Sequence, residues 1–263
     1  MISEKVELLG KGTYDGIPDE LTLLTMSTSS EMDYVSGEDF DETMLDVILP
    51  KCVKEDIDFR KLLEIDYYWV CRALRILNYG PYFTTNSIYC KQCGEASRGE
   101  YRVDLRTIGC KMLPDKFVND ITISADKFLD FKKDIHLHMF TIQDKINAYK
   151  DKMFTRSNGA VARELSRICY MVTYIGNENM TPVQSKLIIE EEMSPADYVI
   201  LKEEVRNLTD YGLRVGGSCQ CPKCKSNEGA FIALMDDKFF RPTVGDLREW
   251  ANSRGSRGSD RNK

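Results

Sequence analysis

Two Cys-x-x-Cys pairs, Cys90-Lys91-Gln92-Cys93 and Cys221-Pro222-Lys223-Cys224, constrain this chain more than any other feature. Zinc takes four soft ligands at the corners of a tetrahedron. A Cys-x-x-Cys turn offers two thiolates from one side of the ion, and its backbone amides hydrogen-bond the sulfurs. Two such turns complete the set, so Cys90, Cys93, Cys221 and Cys224 are the candidate ligands of one structural zinc ion. The long stretch between the pairs is no obstacle, because a metal fixes positions in space and not separations along the chain. Binding worth about 10–16 kcal/mol in small zinc peptides is ample to clamp an early part of the chain to a late one.

Other roles for these thiols fit less well. A thioredoxin-type redox pair needs a strand before it and a helix starting at it, whereas Gly94 and Lys225 lead into polar turns. Cys219 adds a fifth thiol that is expected to sit beside the site, with replacement of one ligand as the alternative. With no ligand position left open and no general base near in sequence, the site reads as structural and not hydrolytic. Cys52, Cys71, Cys110 and Cys169 are scattered and are expected to be small buried hydrophobes in a reducing compartment.

A chain of 263 residues with 42% hydrophobic residues can bury a sizeable core, as one elaborate domain or two small ones. Its 36 Lys and Arg against 42 Asp and Glu leave a net charge of −6, which gives no long-range attraction for phosphate backbones and counts against nucleic acid as the partner. The opening MISEKVELLGKG lacks the basic segment and apolar run of a secretory signal, and no stretch approaches the roughly 18 apolar residues of a membrane span. The expectation is a cytosolic protein without a membrane partner.

The hydrophobic pattern predicts strands at Val6 to Leu9 and Leu21 to Met26 around a Gly- and Pro-rich turn. Short helices are expected at Glu31 to Val35 and at Asp39 to Leu49, the latter stopped by Pro50. A long helix from Phe59 to Leu77 has an apolar face wide enough to touch more than one neighbour, and Asp66 on that face needs a partner from elsewhere in the chain. Gly80-Pro81 closes it. Strands at Tyr82 to Tyr89 and Tyr101 to Thr107 place the first cysteine pair at a hairpin tip. Further strands are expected at Ile121 to Ser124 and Ile135 to Thr141. Helices follow at Gln143 to Lys152, Val161 to Tyr174, after the capping box Thr181-Pro182-Val183-Gln184, and after its acidic variant Ser194-Pro195-Ala196-Asp197. A strand at Ala230 to Leu234 and a helix at Val244 to Ala251 close the chain before a flexible tail.

The resulting fold class is α+β, a mainly helical body with small antiparallel sheets and a split four-cysteine zinc ribbon. Four segments are expected: 1–115 with the N-terminal strands, helices and first knuckle; 116–212 as a mainly helical α+β insertion; 213–253 with the second knuckle, a strand and a closing helix; and 254–263 as the tail.

Catalytic patterns fail when their spacing is checked. Gly10-Lys11-Gly12 follows a strand, but the third glycine is displaced to Gly16, and Pro18 forbids the helix that would hold a pyrophosphate. Gly212 to Gly217 has the spacing of a phosphate loop with Ser218 where its lysine belongs. His136 and His138 share one face of a predicted strand, a spacing able to ligate a metal, yet they have no acidic or cysteine neighbour in sequence and read as ordinary polar-face residues. No enzyme and no small-molecule substrate are expected.

In order and separation these motifs resemble the baseplate hub assembly proteins of T-even-type, contractile-tailed bacteriophages. The residues that carry the resemblance are Leu8-Leu9-Gly10-Lys11-Gly12-Thr13-Tyr14, Met26 to Met32, Leu74-Arg75-Ile76-Leu77-Asn78-Tyr79-Gly80, the two knuckles, and Phe239-Phe240-Arg241-Pro242. The resemblance implies a non-enzymatic baseplate or tail assembly protein. Its partners would be other phage baseplate or tail proteins, and its place would be the virion baseplate or the host cytoplasm during assembly. The alternative is a zinc-ribbon nucleic-acid-binding or regulatory protein. That reading needs a basic face: Lys91, Arg98, Arg102 and Arg106 surround the first knuckle, but only Lys223 and Lys225 accompany the second.

Overall fold

The computed structural model describes residues 2–11, 13–30, 39–90, 92–93, 96–156, 159–213, 216–219, 221, 223–225, 230–233, 244–245 and 247–248, without the side chains of 85–89, 96–102, 216–219 and 230–233. The predicted helix at 31–35, Phe239-Phe240, Trp250, the tail and the side chain of Cys219 lie outside the described residues.

The chain opens with antiparallel strands β1 (Ser3–Glu7) and β2 (Glu20–Leu24), paired from Ser3 with Leu24 to Glu7 with Glu20. Helix α1 (Phe40–Thr43) runs through a π-helical turn at Met44–Ile48 into α2 (Leu49–Cys52). Pro50 therefore does not stop the helix, contrary to the sequence expectation. The wide turn carries the Leu49 N–H back to the Met44 carbonyl, so the regular ladder is already interrupted where the proline lacks its donor.

Helix α3 (Glu64–Tyr79) is shorter at its start than the apolar pattern predicts. Phe59–Lys61 form one 3-10 turn, and Leu62 and Leu63 are extended. Tertiary pairing overrides the helical pattern there: the Glu64 N–H donates to the Phe140 carbonyl and the Ile142 N–H to the Leu62 carbonyl. At its far end Gly80 takes φ +81° and closes the helix. Fully buried Arg75 donates to the carbonyls of Gly80 and Tyr82, each at 2.9 Å, tying the end of α3 to the start of the next strand.

That strand, β3 (Tyr82–Cys90), pairs with β4 (Ala96–Asp104), and β5 (Cys110–Lys111) follows. Next come β6 (Ile121–Ile123), β7 (Ile135–Leu137), α4 (Ile142–Lys150), α5 (Arg163–Met171), β8 (Val172–Ile175) and β9 (Glu178–Asn179). Helices α6 (Pro182–Glu191) and α7 (Pro195–Thr209) lead to β10 (Gly212–Leu213), β11 (Gly216–Cys219) and β12 (Ala230–Ala233). The chain is thus α+β, with seven helices and four small antiparallel sheets among the described residues, ordered β1-β2, β10-β5, β11-β12-β3-β4 and β6-β7-β8-β9.

The predicted helix from Val161 to Tyr174 ends at Met171, because the β-branched and aromatic run Val172-Thr173-Tyr174-Ile175 pairs with β7 and turns at Gly176. Thr181 and Gln184 form the expected reciprocal capping box, and a second one, Thr141 with Asp144, opens α4.

Two apolar cores lie on either side of α3. Leu8, Leu21, Leu23, Ile48, Leu62, Val70, Leu74, Cys90 and Cys221 belong to the first. Leu9, Leu63, Ile65, Ile123, Ile135, Phe140, Ile168, Ile189 and Leu201 belong to the second, which draws most of its residues from 113–205. Strands β5 and β10 close that segment side by side, Cys110 opposite Leu213. The segment is lashed to the N-terminal part by Arg167–Glu64 and Lys145–Asp41 ion pairs, both at 2.6 Å. Gly212 sits at the closing strand with φ +89°, and a Cβ there would stand 2.8 Å from two side-chain carbons of Ile65. No helix among the described residues is long and apolar enough to cross a membrane.

Candidate metal centre

Each cysteine pair lies at the tip of a hairpin, and one sheet holds both hairpins. β3 delivers Cys90 at its last residue, and the chain returns in β4. β11 ends at Cys219, two residues before Cys221, and the chain returns in β12. Strand β12 pairs with both β11 and β3, with Ala230 opposite Cys219 on one side and Cys90 on the other. A long detour of chain separates the hairpins in sequence, and this shared strand places their tips together.

The four sulfurs consequently converge. All lie within 4.8 Å of one another, with Cys90 Sγ 3.7 Å from Cys224 Sγ and Cys93 Sγ 3.9 Å from Cys221 Sγ. Four thiolates bound tetrahedrally at about 2.3 Å from an ion stand about 3.8 Å apart, so the spacing fits a four-thiolate metal site. A disulfide would need about 2.05 Å. Cys90 and Cys221 are buried, Cys93 is half-buried and Cys224 is exposed. The Cys224 N–H lowers the Cys221 thiol to about 6; burial acts against it, and the Lys223 N–H adds to it. A thiol in that range is a thiolate at neutral pH, the form that binds a metal.

The second knuckle closes on Lys225, whose N–H donates to the Cys221 carbonyl at 2.9 Å. Lys225 has φ +58° and is the non-glycine residue with positive φ among those described. Its sequence position, one past the second cysteine, matches that of Gly94 in the first knuckle.

The other singled-out residues do not join this site. Cys52, Cys71 and Cys169 are buried and Cys110 half-buried. Burial pushes the Cys52 thiol up to about 11 and the Cys169 thiol up to about 12, away from thiolate chemistry. The two histidines diverge. His136 lies in β7 with Nδ1 3.1 Å from Thr122 Oγ1, whereas His138 falls past the end of the strand with Nδ1 and Nε2 against the carbonyls of Met139 and Tyr170. Strand β7 ends at Leu137, so His138 lies beyond its pairing, and the residue skipped in the register is Thr173 of β8. Gly212 and Gly216-Gly217 are strand residues, not a phosphate loop.

The first glycine turn does cradle an anion, but one supplied by the chain itself. Asp66, fully buried, accepts from the Leu9 N–H at 2.5 Å, the Gly10 N–H at 3.1 Å and the Tyr14 hydroxyl at 2.5 Å. A Cβ on Gly10 would meet Asp66 Oδ2 at 2.7 Å, so the approach of backbone to carboxylate requires glycine. Burial raises the Asp66 carboxyl, against the three donors that lower it. A second cradle was harder to see in sequence. Ser194 caps α7 by accepting the Asp197 N–H, but the Asp197 carboxylate also turns away from its own helix, accepting from Leu129, Asp130 and Phe131 N–H groups. Serine followed three residues later by an acid signals a cap; nothing local signals which distant loop the acid will hold.

No protein-family model, curated protein or solved structure matches the chain. What is visible in the molecule itself is a four-cysteine cluster able to hold a metal ion, built from two hairpins that join distant parts of one α+β chain.

Proposed function

We propose that Cys90, Cys93, Cys221 and Cys224 hold one structural zinc ion, and that the protein acts by contact as a baseplate or tail assembly protein of a contractile-tailed bacteriophage. The observation that carries the first part is the closed set of four converging thiols, which leaves a tetrahedral ion no open position for substrate or water. Cysteine ligands alone suit zinc, and the same geometry would accept iron, which metal analysis distinguishes. The second part is supported by the ordered resemblance of the motifs to baseplate hub assembly proteins. In this reading the ion clamps the two hairpins while the apolar and charged surfaces of the body meet other tail proteins.

Metal analysis of purified protein should give about one zinc per chain, lost in Cys93→Ser and Cys224→Ser. Deleting the gene in its phage, followed by electron microscopy of lysates and mass spectrometry of wild-type virions, tests the rest. Defective tails without the protein are the expected result, and its presence or absence in virions separates a component from an assembly factor. Intact contractile tails and normal infectivity would remove the assembly reading. Salt-sensitive DNA binding by purified protein would move the reading to a nucleic-acid binder.

A further inference from the structure

A cleft of about 730 Å³ opens in the body between the 153–165 segment and the corner where α6 meets α7, with none of the four clustered cysteines in its lining. Its volume lies in the range of ligand-binding clefts. Phe154, Ile189 and Met193 are buried apolar residues of its lining, with half-buried Leu165 and Tyr198 beside them. Its charges are unbalanced. Lys186 pairs with Glu190 at 2.8 Å and Lys202 with Glu164 at 3.3 Å, which accounts for both lining carboxylates.

Arg156 and Arg163 are left over: both are exposed, both line the cleft, and neither has a carboxylate partner among the described residues. The Arg163 guanidinium lies 5.4 Å from the Tyr149 ring, a contact that leaves its fork of donors available. The first turn of α5 adds to this potential, since Ala162 at its N-cap offers no side-chain acceptor to the helix amides. In a chain of net charge −6, two unpaired arginines over an apolar floor form a locally positive site with a greasy base.

We infer that this cleft is a docking site for a peptide segment of a partner protein that carries carboxylates next to a large apolar side chain. The apolar anchor fills the space over Phe154, Ile189 and Met193, and the carboxylates meet Arg156 and Arg163 at the rim, where bidentate pairing favours arginine over lysine. This inference does not depend on the metal site or on the phage reading.

The test uses the full-length, metal-loaded protein and a pool of fluorescein-labelled peptides in which Asp or Glu alternates with Leu, Phe or Met, read by fluorescence anisotropy. The acidic pool should bind saturably and weaken with added salt. The double variant Arg156→Glu/Arg163→Glu should weaken it about tenfold or more, and the milder Arg156→Gln/Arg163→Gln several-fold. Circular dichroism and thermal midpoints confirm that each variant is folded; both arginines are exposed, so the glutamine pair keeps the test available if the glutamate pair misfolds. Lys61→Glu/Lys116→Glu, the same charge change at exposed positions outside the cleft, should leave binding unchanged. The inference fails if the acidic pool does not bind, if a pool with Lys in place of the acids binds equally, or if the control double variant weakens binding as much. It also fails if decanoate binds alone and displaces the peptides, which would make the cleft a site for free aliphatic carboxylates.

Discussion

The ribbon sheet and the body of 113–209 are held by different means. In the body, local and tertiary signals agree: Thr141, Thr181 and Ser194 cap three of its helices, a continuous apolar core lies beneath them, and Asp197 stitches α7 to the 129–131 loop. The ribbon instead assembles from two hairpins far apart in the chain, joined by β12 between β11 and β3 and by four sulfurs at their tips. Pairing across such a distance carries a loop-closure cost that a bound metal ion would offset. The body should therefore be stable without metal, and the ribbon should not.

Chelation should have the largest effect. After treatment with a strong chelator under reducing conditions, hydrogen exchange should lose protection in β3, β11 and β12 while α4 to α7 keep theirs. Loss on the scale of several kcal/mol is expected, given about 10–16 kcal/mol for zinc peptides. Equal protection in both regions with and without metal would show that the ribbon sheet needs no ion to hold its hairpins together.

The junction between the two regions comes next. At Gly212 alanine would face both a left-handed backbone and a clash with Ile65. Gly212→Ala should cost about 3 kcal/mol, adding the left-handed penalty to overpacking, and should appear as a lower urea midpoint of the whole chain. A loss below about 1 kcal/mol would mean that β10 can move off α3 and that the regions are coupled more loosely.

Two buried carboxylates also lie in cradles of donors, and they shift in opposite directions. Asp197 is held below the ordinary range despite burial, by the Leu129 N–H, the Ser194 hydroxyl and two further amides. Its stabilising contribution is present above the unfolded value of about 3.9 and is lost as pH falls through the lower folded value. Asp66 is raised, chiefly by burial, so the unfolded state ionises first and stability falls as pH rises from about 3.9 through the folded value. Urea midpoints from pH 3 to 7 for wild type, Asp197→Asn and Asp66→Asn should show this. The wild-type advantage over Asp197→Asn shrinks on acidification, and that over Asp66→Asn shrinks as pH rises. The same sign for both would contradict the opposite placement of the two groups.

Much of this was legible in the chain because its signals were local. The four-cysteine cluster followed from two short motifs, the starts of α6 and α7 from capping residues, and the end of α3 from Gly80. What escaped had tertiary causes. Leu62 and Leu63 fit the helical pattern but are drawn into extended pairing with the 140–142 segment. The π-helical turn before Pro50 and the strand at Val172–Ile175 were hidden by apolar residues that suit either structure. The partner of Asp66 lay more than fifty residues upstream, in a glycine turn that has only part of a pyrophosphate-binding pattern and proved to bind an internal carboxylate.

The smallest effect sharpens the contrast from inside the ribbon. Helix α3 closes with Gly80, a residue suited to positive φ, whereas the second knuckle closes with Lys225 at φ +58°. A β-carbon in that region costs about 1–2 kcal/mol that glycine avoids, although glycine gives back part of this through its more flexible unfolded state. Lys225→Gly should therefore raise the stability of the metal-loaded protein by about 0.5–1 kcal/mol, seen as a modest rise in thermal midpoint with the metal content unchanged. The chelated protein should gain nothing if an ion shared by Cys221 and Cys224 with Cys90 and Cys93 is what holds the turn in that conformation. A gain of equal size with and without metal would show that the knuckle is formed by its own hairpin, and that the ion adds to a ribbon already in place.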